Sequence, residues 1–245
     1  MKPKIVFITG SSRGIGRAIA CAFGTAGYRV VINASKSKHE LEETRQALIS
    51  QGADCLALMG DVSDYDVCKQ LFADIKSHWG QDVDVLVNNA GISHIGLFSD
   101  MEPAQWNHIL QVNLHSVLNC THLATPAMVQ KKAGTMINIS SMWGSVGASC
   151  EAVYSASKGA IHAFTKAMAK ELGPSSIRVN AIACGAIDTS MNDCFNQEER
   201  DALCEEIPLS RFGTPKEVAD LVLFLAEDKS LYVTGQIITL DGGMN

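Results

Sequence analysis

Apolar positions along this chain fall into two alternating patterns. Short, nearly continuous apolar runs occupy 4–8, 29–33, 54–59, 83–88, 135–140, 178–183 and 236–240. A strand with one wet face alternates apolar and polar residues. A continuous run instead implies burial on both faces, as in a parallel strand covered by helices. Between the runs, near 15–26, 38–51, 64–79, 103–131, 153–172 and 215–226, apolar residues recur at helical spacing. Pro103 suits a first helical turn, and Gly134 and the pair Gly173-Pro174 suit helix exits. This alternation predicts one α/β domain over 1–245, doubly wound, with helices on both faces of a mostly parallel sheet.

The segment 189–214 breaks the rhythm. It carries Met191, Phe195, Leu203, Ile207, Leu209 and Phe212 among acidic residues. A long excursion of this kind at the carboxyl end of a strand predicts a lid over a pocket.

Composition narrows the function classes. The net charge of −6 argues against a nucleic-acid binder and against docking on anionic lipid. The first apolar run is too short for a signal peptide or a membrane span. Eight cysteines without a C-x-x-C pair read as free thiols in a reducing compartment, so a cytoplasmic protein is expected. His108, His115 and His122 recur at heptad spacing. Two helical turns separate neighbours by about 10 Å, too far to share one zinc, so no metal site is expected.

The candidate chemistry starts from Tyr154 and Lys158, four apart and on one helix face. An ammonium near the phenol predicts a Tyr154 pKa lowered toward neutrality, as suits a general acid or base. The first strand runs into Thr9-Gly10-Ser11-Ser12-Arg13-Gly14-Ile15-Gly16 and then directly into a helix. Such a turn lets backbone approach a pyrophosphate, with helix N–H groups behind it.

The glycine turn, Asn88-Asn89-Ala90-Gly91, Asn113, Ser141 and Tyr154-x-x-x-Lys158 occur in the order and spacing of the short-chain dehydrogenase/reductase family. The chain resembles its classical form, about 250 residues long, from end to end. The resemblance implies a single Rossmann domain with a seven-stranded parallel sheet and a nicotinamide dinucleotide. It assigns Gly10, Ser12, Arg13, Gly14, Ile15 and Gly16 to the pyrophosphate turn and Asp61 and Val62 to the adenine. Asn88, Ala90 and Gly91 fall to the adenosine ribose, and Gly185, Ile187 and Thr189 to the nicotinamide. Tyr154 would give its proton to a substrate carbonyl. Lys158 would tune Tyr154 and hold the nicotinamide ribose. Ser141 would orient the carbonyl, and Asn113 would interrupt its helix to support a proton relay.

The run after the second strand, Asn33-Ala34-Ser35-Lys36-Ser37-Lys38, lacks the carboxylate that takes a ribose 2′-hydroxyl, and the first acid is Glu40. With no carboxylate set against phosphate, and with Arg13, Ser35 and Lys36 available, NADP(H) is expected. The ending Tyr232-Val233-Thr234-Gly235-Gln236 and Asp241-Gly242-Gly243 is similar to 3-oxoacyl-acyl-carrier-protein reductases. Those enzymes tend to place an Arg where this chain has Ser175. Lys131 and Lys132 remain for an acidic carrier.

The segment 143–151, from Trp143 to Glu151, is instead similar to reductases of the 5-aminopentanone modification on elongation factor P. There Glu151 would suit a cationic amino-ketone. Both substrate classes stay open, with Ser141, Trp143, Glu151 and Met191 as candidate substrate contacts. The alternative from another class is a non-catalytic NADP(H)-sensing or scaffold protein. Cys184-Gly185 stands where the family usually has Pro-Gly. A homotetramer is implied, formed through the helices near 103–131 and 153–172, with Val117, Leu118, Ala160 and Phe164 available.

Overall fold

The computed structural model describes residues 2–192 and 195–245. Seven parallel strands form one sheet in the order β3-β2-β1-β4-β5-β6-β7. They are β1 (Ile5–Ile8), β2 (Arg29–Ala34), β3 (Cys55–Met59), β4 (Val85–Asn88), β5 (Gly134–Ser141), β6 (Ile177–Cys184) and β7 (Ile237–Leu240). Every pairing is parallel, for example Ile8 with Ile32 on β2 and with Val87 on β4. The expected doubly wound α/β fold is therefore present. The strand order reverses between β1 and β4, which opens a crevice at their carboxyl ends.

The continuous apolar runs are explained by two cores. In β1, Val6 and Ile8 join one core while Ile5 and Phe7 join the other. The first core takes Ile19 and Phe23 from α1 (Gly14–Thr25), Leu48 from α2 (Lys38–Ser50) and Val222 from α9 (Pro215–Ala226). The second takes Ile75 from α3 (Tyr65–Trp79), Met128 from α5 (Ser116–Lys131) and Leu172 from α7 (Ala152–Leu172). Truncating a side chain as buried as Phe23 costs about 3–5 kcal/mol.

Three details differ from the sequence reading or refine it. The helical stretch 103–131 is α4 (Pro103–Leu110), a π-helical turn at Gln111–His115 and α5. Asn113 lies in that turn and so interrupts the helix as expected; π-turns concentrate at functional sites. The cap of α3 is Asp64, which accepts from the amides of Asp66 and Val67. Val117 is buried and is a core residue, not one available to an interface.

Candidate active site

The glycine turn is stitched to the exit of β4. Thr9 Oγ1 accepts from the amides of Asn89 and Ala90 at 3.0 Å each. The Asn89 side-chain nitrogen donates to the carbonyls of Thr9 (2.9 Å) and Gly10 (2.8 Å). A Cβ on Gly16 would come within 2.6 Å of that Asn89 nitrogen, and one on Gly10 within 2.9 Å of Ala90 Cα. Gly14 has room for a Cβ but sits at φ +55°, where L side chains are strained. Arg13, at the N-cap of α1, makes no side-chain cap bond, and no acid lies in the first turn. Free helix amides beside a backbone cleared of side chains fit a pyrophosphate. Thr189 Cγ2 lies 3.6 Å from the Cβ position of Gly14, so the segment after β6 borders the same trough. Ser12 is buried and Ile15 half-buried.

Beyond the turn, β5 and α7 carry the reactive side chains. The Lys158 ammonium donates to the Ile139 carbonyl at 3.0 Å and lies 5.6 Å from the Tyr154 ring centre. The Ser141 hydroxyl hydrogen bonds the Tyr154 phenol and accepts from the Trp143 amide at 3.2 Å. Asn113 is fully buried. Its carboxamide exchanges two hydrogen bonds with the backbone of Ile92 (2.8 and 2.9 Å) and donates to Ser157 Oγ at 3.1 Å. A Cβ on Gly91 would stand 3.4 Å from Asn113 Oδ1 and 3.6 Å from Lys158 Nζ, so a glycine keeps this corner open.

The protonation states correct the expectation for Tyr154. Burial pushes its phenol up, the Ser141 hydrogen bond pulls it back in part, and the nearby Glu151 carboxylate adds to the rise. Lys158 does not lower it, because the ammonium is turned to Ile139 and is itself brought down to about 8 by burial. Tyr154 is thus a phenol that holds its proton, suited to donate it. Cys184 is buried and its thiol rises to about 12, which removes it as a thiolate nucleophile.

At the adenosine end, the Asn88 side chain donates to Asn138 Oδ1 at 2.8 Å and so firms the central strands. Ala90, next in line, packs against Gly10. Asp61 is exposed and accepts from the Ser63 amide at 3.0 Å. Val62 is buried, and its carbonyl accepts from Asn119 at 3.1 Å. Ser35 and Lys36 are exposed at the exit of β2. Glu40 qualifies the expectation that no carboxylate is set against a 2′-phosphate. Its Oε1 lies 3.7 Å from Arg13 Nη1.

Among the candidate substrate contacts, Glu151 is half-buried. It accepts from Ser93 Oγ at 2.5 Å, just after Cys150, which holds φ +62°. Trp143 opens the one-turn helix α6 (Trp143–Val146). A Cβ on Gly185 would come within 2.7 Å of Asp241 Cα, and Ile187 is buried and bridges to Gly213 at the base of the 189–214 excursion. Within that excursion Met191 is exposed, α8 (Gln197–Glu206) buries no residue, and Ile207 and Phe212 anchor its end in the body. Asp193 and Cys194 lie outside the described residues.

Sequence reasoning passed over His162. The buried His162 ring contacts Ser140 Oγ at 2.9 Å and Ser145 Oγ at 3.4 Å, behind the Ser141 turn. His162 is one turn beyond Lys158, a spacing that was available as a signal.

Comparisons with known proteins identify the family. A family model described as enoyl-(acyl carrier protein) reductase matches residues 10–245. The chain is 40% identical over 241 residues to a 3-oxoacyl-[acyl-carrier-protein] reductase of Staphylococcus aureus, covering 98% of each chain. It is 38% identical over the same length, and with the same coverage, to the uncharacterized oxidoreductase YmfI of Bacillus subtilis. The crystal structure of a 3-oxoacyl-[acyl-carrier protein] reductase from Brucella melitensis superposes with a TM-score of 0.93 at 38% identity, over 98% of this chain and 91% of that one. The chain belongs to the short-chain dehydrogenase/reductase family, as a nicotinamide-dependent oxidoreductase of CH–OH and C=O groups similar to the 3-oxoacyl-acyl-carrier-protein reductases.

Proposed function

We propose that the protein reduces a 3-oxoacyl group, carried on acyl-carrier protein, to the secondary alcohol with NADPH. The observation that carries the reading is the Tyr154 phenol, kept protonated by burial and hydrogen bonded by Ser141, with Lys158 on the same face of α7. The bound coenzyme supplies the hydride. Ser141 orients the ketone oxygen, as an oxyanion donor does. Tyr154 donates its proton to that oxygen as charge develops there. Lys158, a cation below about pH 8, holds the nicotinamide ribose hydroxyls. Ile187 and Thr189 border the nicotinamide, and Arg13 and Lys36 meet the 2′-phosphate. Asp61 and Val62 sit at the adenine. The segment 189–214 acts as the lid. The protein works in the cytoplasm as a homotetramer, with Leu118 exposed on α5 as one interface residue.

A second reading is favoured by the charge around the substrate. Glu151 is fixed by Ser93, and α8 carries Glu198, Glu199, Asp201, Glu205 and Glu206 against Arg200 alone. That balance suits a cationic amino-ketone, such as the 5-aminopentanone group on elongation factor P, and opposes an acidic carrier.

One assay separates the two. NADPH oxidation is followed with an acetoacetyl thioester of acyl-carrier protein and with 5-aminopentanone-modified elongation factor P. Turnover of the thioester supports the first reading, and turnover of the amino-ketone alone supports the second. Reduction of neither contradicts both.

A further inference from the structure

The contact between Glu40 and Arg13 is unlike the other ion pairs of the surface. At 3.7 Å it is too long for a hydrogen bond, yet Glu40 Oε2 is shielded from solvent and has no donor. A buried carboxylate oxygen without a partner is costly and calls for an explanation. Its place in the fold supplies one. Glu40 lies in the first turn of α2, and one turn later Thr44 donates to the Ser12 carbonyl at 2.7 Å. That face of α2 therefore packs on the glycine turn, where Arg13 caps α1. Arg13 is exposed on its other side and is the cation nearest the pyrophosphate turn.

We propose that Glu40 sets how strongly the protein discriminates between the two nicotinamide coenzymes, by competing with the 2′-phosphate of NADP(H) for Arg13. The proposal rests on the assignment of Gly10–Gly16 to the dinucleotide. It adds that NADP(H) enters against a carboxylate already drawn to its main cation. A 2′-phosphate placed at Arg13 faces Glu40 as a like charge, and Arg13 must divide its charge between two anions. A coenzyme with a plain 2′-hydroxyl meets no such repulsion. Glu40 therefore weakens NADP(H) and favours NAD(H), without lying at the end of β2, where an acidic selector is expected.

Dissociation constants for NADPH and NADH, from nicotinamide fluorescence titration, test this in the parent, Glu40→Gln, Arg13→Ala and the double variant. The expected result is about five- to tenfold tighter NADPH in Glu40→Gln, with NADH unchanged or weaker. Arg13→Ala should weaken NADPH and erase the effect of Glu40→Gln. An unchanged ratio of the two constants in Glu40→Gln, or weaker NADPH, overturns the proposal. So does a full gain that persists without Arg13. Tighter NADH than NADPH in the parent contradicts the NADPH assignment instead. The shift caused by Glu40→Gln still reads out the proposal in that case.

Discussion

On β5 and α7, Ser141, Ser157 and Lys158 are buried, and each has a hydrogen-bond partner. In the excursion after β6, α8 buries nothing, and Met191 and Leu209 are about half exposed. The first region holds its reactive groups by burial and by bonds to strand backbone. The second is held at its ends, by the Ile187–Gly213 bridge and by Ile207 and Phe212. Burial sets proton affinities, so the proposed chemistry belongs to the first region. Charge selects what approaches, so the proposal gives substrate choice to Glu151 and the acidic excursion.

The largest effect is expected at Tyr154. Tyr154→Phe should cut ketone reduction by about 10³–10⁴-fold, with the dissociation constant for coenzyme within threefold of the parent. Comparable loss of coenzyme binding would make Tyr154 a binding residue and erase the contrast. Next, Ser141→Ala should cost about 10²–10³-fold in kcat with KM little changed.

Lys158 tests burial itself through stability. Its folded pKa, near 8, lies below its ordinary value of 10.5, so between those pH values the unfolded chain binds more protons than the native one. Parent stability should therefore rise across that window by on the order of 3 kcal/mol relative to Lys158→Met. Denaturant titrations of both proteins at pH 7.5 and 10.5 measure the difference. A gap that does not change with pH would mean the ammonium is solvated. The smallest effect is assigned to the substrate side. Glu151→Gln should raise KM for the cationic amino-ketone about tenfold while changing a thioester ketone less than threefold. Equal changes for both would show that Glu151 only braces its loop through Ser93.

The strands, the helices and the Tyr154, Lys158 and glycine-turn spacing were legible because each follows a local period. Asn113 was legible from the motif register, and the π-turn shows how the backbone accommodates it. What could not be read depends on reach between elements. Glu40 meets Arg13 across the gap between α1 and α2, and His162 meets Ser140 across the gap between α7 and β5. Val117 lies one position from Leu118, yet one is core and the other surface. The Tyr154 pKa was misjudged because spacing reveals a neighbouring cation. It does not show that burial outweighs that cation, or that the Ile139 carbonyl takes it.

The central claim is that a phenol kept protonated by burial delivers the proton while Lys158 is charged. The pH dependence of kcat/KM for NADPH-driven ketone reduction, between pH 6 and 10, tests it most directly. The account predicts a plateau through neutrality and a tenfold fall per pH unit above about 8, where Lys158 loses its charge. A rate that rises with pH, or a plateau unbroken to pH 10, would contradict it.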